Sequence, residues 1–118
     1  MTIPTSDLDR VDFADIVDAG VPRQAAIHPG VILREDWLEP LGITPYRAAK
    51  DMRVPPNRLT AILAGDRAIT ADTALRLARY FGTDARSWLN LQANYELETA
   101  SLLHGAEIVR DIEPRNLA

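Results

Sequence analysis

Residues 44–65, TPYRAAKDMRVPPNRLTAILAG, read as two short helices joined by a tight turn, with a polar and basic outer face. Thr44 is a good N-cap and Pro45 stands at the first helical position, so a helix running to about Met52 is expected. Ala48 and Ala49 are small where one helix must lie close across another. Arg53 and Val54 interrupt that helix, and Pro55 or Pro56 opens the next with a pre-set φ and no amide hydrogen to waste. Leu59, Ile62 and Leu63 supply the apolar stripe of the second helix, and Gly65 is a candidate left-handed cap after it. This pattern is that of a helix-turn-helix, in which the two helices meet at roughly 90 to 120°. With the stripe turned inward, Pro56, Asn57, Arg58, Thr60 and Ala61 face outward, as on a helix that enters a DNA major groove.

Four segments, in this order and spacing, resemble the HigA/VapI-type antitoxins, DNA-binding proteins of the Cro/C1-like (XRE) helix-turn-helix class. They are HPGVILREDWLEPLGIT, VPPNRLTAIL followed by Gly65, ITADTALRLARYFGT and WLNLQANYELE, and they run from His28 to about Glu98. The resemblance implies an all-α, five-helix, lambda-repressor-like domain that binds operator DNA as a homodimer and represses its own operon. It also implies neutralisation of a RelE-like, mRNA-cleaving toxin encoded beside it. The sequence departs from the class in three places: Arg53 occupies the turn position often held by Gly, Ala61 and Ala64 stand where polar residues are common, and Asp66 stands where a basic residue is common.

Charge is distributed in keeping with this reading. The chain has 118 residues and a formal net charge of −4, whereas a DNA-binding domain usually shows a basic footprint. Residues 28–83, however, hold eight basic against six acidic side chains, and the acidic excess lies at the two ends. Within the basic part, Asn57 and Arg58 carry the bidentate groups that read adenine and guanine edges. Arg47, Arg53 and Arg67 flank them and suit phosphates, which set register rather than sequence.

Three regions are expected: an acidic arm (1–27), the helix-turn-helix domain (28–101) and a C-terminal segment (102–118). In the arm, Leu8, Val11, Phe13, Ile16 and Val17 alternate with five Asp. It reads either as a partly disordered tail or as a short amphipathic segment that binds a partner, with Val11, Phe13, Ile16 and Val17 as its toxin-binding anchors. In the domain, Leu33, Trp37, Leu38 and Leu41 give the first helix its apolar face, and Pro40 and Gly42 end it. Thr70 caps a fourth helix with Ala74, Leu75, Ala78 and Phe81 on its buried face until Gly82. Thr83 or Asp84 caps a fifth, in which Trp88, Leu91, Gln92, Tyr95 and Thr99 share a face. After Gly105, EIVRDIEP is either a short strand ended by Pro114 or a last helical turn. The β-branched cluster favours the strand, and an edge strand there would pair with a dimer mate.

The residues give little support for catalysis or for a cofactor. There is no cysteine, hence no disulfide or thiolate site, and a reducing, cytoplasmic setting is compatible. Two His without an HExxH pattern do not support a zinc hydrolase, and His28 reads as part of the start of the first helix. The six Gly are scattered singly rather than gathered into a phosphate-cradling loop. No apolar run approaches the roughly 20 residues that span a bilayer, so no membrane is expected as a partner. Recognition is therefore the expected chemistry, with two rivals to the antitoxin reading: a regulator of the same fold without a toxin partner, and a protein-interaction module that has lost DNA binding.

Overall fold

The structure, a computed structural model, describes residues 26–115. Five helices form there, and no strand is found among the described residues. Helix α1 occupies residues 29–41, α2 is Pro45–Met52, α3 is Pro56–Leu63, α4 is Ala71–Phe81 and α5 is Ala85–Asp111.

Local chemistry sets most of the boundaries. His28 caps α1, its Nδ1 accepting the Gly30 N–H at 2.9 Å, and Pro29 follows at the first position. Thr44 and Thr70 accept from the amides of Arg47 and Thr73, as their spacing implies. Gly42 and Gly82 end α1 and α4 in the left-handed conformation. Pro40 does not end α1 as expected; it lies within it. A proline ring collides with the carbonyl four residues back and offers no N–H to it. The helix answers by widening into a π-helical segment, Leu33–Leu38, in which the Glu39 N–H reaches back to the Arg34 carbonyl.

The core sits where α1, α2, α3 and α4 converge on the start of α5. Leu33, Leu38, Leu59, Ile62, Ile69 and Leu77 are fully enclosed, and Ala48 and Ala49 are sealed against their neighbours where the first two helices of the motif cross. Trp37 packs on Phe81 and Trp88, with ring centroids 5.1 and 6.2 Å apart. Two residues expected in the core are not in it: Leu41 and Leu75 are 58% and 63% exposed. On α4, Ala74 and Leu77 define the inward face, and Leu75, one residue on from Ala74, is turned about 100° away from it. On α5, Trp88 and Gln92 are buried as expected. Gln92 works as a clasp: its Oε1 accepts the Ile69 N–H at 2.9 Å and fixes the loop ahead of α4.

The expected C-terminal strand is overturned. Gly105 lies inside α5, which runs unbroken across residues 101 and 102 to Asp111, and only Ile112 turns extended. From Leu97 onward, Leu97, Ala100, Ser101, Ile108 and Val109 recur at helical spacing along a shallow apolar groove. Extending a helix that is already nucleated adds one hydrogen bond per residue fixed. A lone strand would have found no partner for its backbone.

Candidate nucleic-acid interface

The helix-turn-helix is α2, the turn at Arg53, Val54 and Pro55, and α3. Arg53 holds φ 58° and ψ 45°, a left-handed conformation that costs a non-glycine residue about 1 kcal/mol. The cost is offset locally: the Arg53 N–H bonds the Lys50 carbonyl at 3.2 Å, the Val54 N–H bonds that of Ala49 at 2.9 Å, and Val54 is buried. Pro55 then occupies the cap position and Pro56 the first turn of α3.

Burial of Leu59, Ile62 and Leu63 sets the rotation of α3. The opposite face presents Pro56, Asn57 and Thr60 to solvent, with Arg58 and Ala61 half-buried beside them. The Thr60 hydroxyl donates to the Asn57 backbone carbonyl at 3.2 Å, and Asn57 itself is exposed. Arg47, Arg53 and Arg67 are all exposed: Arg47 in the first turn of α2, Arg53 at the turn, Arg67 in the loop after α3. All eight DNA-facing candidates thus belong to α2, the turn, α3 and the loop that follows. Val11, Phe13, Ile16 and Val17 lie outside the described residues.

Ion pairs divide the cations. Arg47 Nε bonds Asp51 Oδ2 at 3.2 Å, and the same oxygen accepts the Tyr80 hydroxyl at 2.7 Å, tying α2 to α4. Those bonds, Tyr80's first and then Arg47's, hold the Asp51 carboxyl below its usual range, and the Tyr80 hydroxyl is pushed up in turn. Arg58 Nη1 lies 3.6 Å from Asp72 Oδ2, which also takes Arg76 Nε at 2.9 Å. Lys50, Arg53 and Arg67 make no ion pair among the described residues. The sequence did not show Asp51 and Asp72 as partners of Arg47 and Arg58, nor Tyr80 and Arg76 as the groups that share those carboxylates. The spacing of Asp72 and Arg76 along α4 signals only their own pairing.

Behind the face, His28 braces the assembly. It is 7% exposed, its ring meets Tyr95 edge-on at 4.8 Å, and it lies against Gly65 at the end of the motif. Burial lowers its pKa, against a hydrogen bond with the Arg67 backbone and the charges of Asp66 and Glu96. Among the described residues no cluster of His, Asp or Glu is arranged to hold a metal ion, and no helix is long and apolar enough to cross a membrane.

An exposed polar face on the second of two such helices, beside a ring of cations, defines an XRE-type helix-turn-helix protein, and the helix-turn-helix family pattern matches residues 35–88. Virulence-associated protein I of Dichelobacter nodosus is 52% identical over 84 residues, a span covering 71% of this chain and 78% of that one. Antitoxin HigA-1 of Vibrio cholerae is 32% identical over 75 residues, 64% of this chain and 70% of that protein. The Pseudomonas aeruginosa antitoxin HigA, solved with the higBA promoter, superposes with a TM-score of 0.74 at 42% identity, covering 77% of this chain and 99% of that one. The chain belongs to the HigA/VapI family of helix-turn-helix antitoxins.

Proposed function

We propose that the protein binds the promoter of its own operon sequence-specifically, as a homodimer, and neutralises a RelE-like, mRNA-cleaving toxin encoded beside it. The observation that carries the DNA half is the outer face of α3: Asn57 and Thr60 are exposed, with Arg58 half-buried beside them, on a helix whose rotation is set by three buried residues. The similar Pseudomonas HigA was solved with promoter DNA, which supports the same use of the motif here. In this reading Asn57 and Arg58 address base edges while Arg47, Arg53 and Arg67 take phosphates. Pro56, Thr60 and Ala61 shape the surface that enters the groove.

One short helix reaches few base pairs, so specificity calls for two half-sites about 34 to 36 Å apart and a two-fold dimer to span them. The apolar stripe of α5 suits that seam, since Leu97 and Val109 are each 68% exposed. For the toxin, an enzyme that binds mRNA presents a basic surface to phosphates. The acidic arm, with Val11, Phe13, Ile16 and Val17 as apolar anchors, complements such a surface and would steer association. A chain beginning at His28 tests this assignment. It should bind the operator as the full chain does, yet fail to restore growth when the toxin is co-expressed. Full rescue by the shortened chain would move the toxin site onto the helical body, and a neighbourhood lacking any small basic reading frame would favour the regulator without a toxin.

A further inference from the structure

The geometry points to Asp72 as a positioning residue for Arg58, one that raises sequence discrimination without touching DNA itself. This rests on the reading of Arg58 as a base-contacting side chain. A single oxygen, Asp72 Oδ2, takes Arg76 Nε at 2.9 Å and lies 3.6 Å from Arg58 Nη1. Arg76 is itself held at its far end, where Nη1 donates to the Met52 carbonyl at 3.0 Å and the Arg53 carbonyl at 3.3 Å. A continuous chain thus runs from the backbone of the helix-turn-helix turn, through Arg76 and Asp72, to the first turn of α3.

Two consequences follow for a groove-facing Arg58. Its long side chain would otherwise sample many rotamers, and the anchor at Nη1 narrows them while leaving Nε and Nη2 free to donate elsewhere. The carboxylate also offsets positive charge beside α3, and unlike a base edge it repels phosphates of every sequence equally. Only the first acts on the ratio of specific to non-specific binding, because it favours the operator; the second lowers affinity for operator and other DNA alike. Asp72 also has a purely structural use, in the first turn of α4 where the helix dipole favours an acid and Arg76 pairs at i+4. That use alone changes stability and leaves discrimination untouched.

The test is Asp72→Asn, similar in size but uncharged, titrated by fluorescence anisotropy against the promoter duplex and a scrambled duplex at one salt concentration. Asp72→Glu and a thermal melt serve as controls. We expect Asp72→Asn to bind the scrambled duplex more tightly and to lose about tenfold in discrimination. Asp72→Glu should recover part of it, and Asp72→Asn should change the ratio no further once Arg58 is Ala. Equal shifts on both duplexes, or the same loss of discrimination with and without Arg58, would overturn the proposal. If Arg58→Ala lowers discrimination while Asp72→Asn does not, only the Asp72 role fails. If Arg58→Ala leaves the ratio unchanged, the base-contact reading falls and takes the Asp72 role with it.

Discussion

Gly30 packs so tightly on the backbone of Ile62 that a methyl group on it would overlap the Ile62 carbonyl oxygen and come within 2.9 Å of the carbonyl carbon and 3.1 Å of His28 Nδ1. The first helix of the domain therefore rests directly on the main chain of α3, and the placement of α3 depends on that contact. Gly30→Ala should destabilise the fold by about 1–3 kcal/mol, the usual cost of an extra buried methyl group without room. Urea unfolding measures it. Because the clash pushes on α3, operator affinity should fall as well. At Gly42 the added Cβ meets nothing within 4 Å. Gly42→Ala should cost only the strain of its positive φ, and leave the affinity of the folded protein unchanged.

His28 gives the fold a pH dependence of definite sign. Its Nδ1 must be unprotonated to accept from Gly30, and burial lowers its pKa below the ordinary value of about 6.5. Between the two values the unfolded chain binds the extra proton, so stability rises with pH through that window. It is fully present above about 6.5 and is lost as pH falls below it. Asp51 and Asp72 are shifted downward and act only in more acid solution. Urea midpoints should accordingly drop from pH 7.5 to pH 5.5, and His28→Asn, which keeps a capping group but cannot titrate, should flatten that drop. An unchanged slope in the variant would remove His28 as its cause.

Two arginines should separate readout from anchoring. Arg58→Ala should weaken operator binding by about 1–3 kcal/mol and relax base preference at one position. Arg67→Ala should weaken operator and scrambled DNA alike and lower the salt slope by about one. Gel shifts on both duplexes over a salt series distinguish them. Equal losses for Arg58→Ala on the two duplexes would make it a phosphate contact.

The proposed seam on α5 is open to a direct challenge. Ile108 and Val109 are 49% and 68% exposed on the outer half of the helix, far from the core, so charge there should not unfold the domain. Ile108→Glu with Val109→Glu should give a monomer by sedimentation, with weaker operator binding and an unaltered melting transition for the domain. Deleting residues 107–118 should do the same. A double variant that still sediments as a dimer places the interface elsewhere.

Much of the fold was legible because its determinants are local. Thr44, Thr70 and the paired prolines act within one turn of where they stand, and Ala48 and Ala49 announce a close crossing by size alone. The resemblance set Arg53 at a turn position often held by Gly, and the positive φ found there is the conformation that such a Gly would serve. What escaped depends on context. Pro40 reads as a terminator, yet α1 passes through it by widening into the π-helical segment before it and ends one residue later, at the left-handed cap of Gly42. The β-branched residues near the C-terminus suggest a strand only when the helix running into them is left out of account. At the candidate interface, the exposed face of α3 was readable from its apolar stripe. The bridges Arg58–Asp72 and Tyr80–Asp51 join residues distant in sequence, and no periodicity along one helix encodes them.

Sequence-specific binding is the core of this account, and the affinity ratio of the intact protein for its own promoter over a scrambled duplex, at one physiological salt concentration, tests it most directly. The promoter should bind at least about 10³-fold more tightly, the lower bound for specific recognition, with two half-sites protected about one helical turn apart. Equal affinity for both duplexes, falling with salt in parallel, would contradict it and leave the exposed face of α3 without its proposed use.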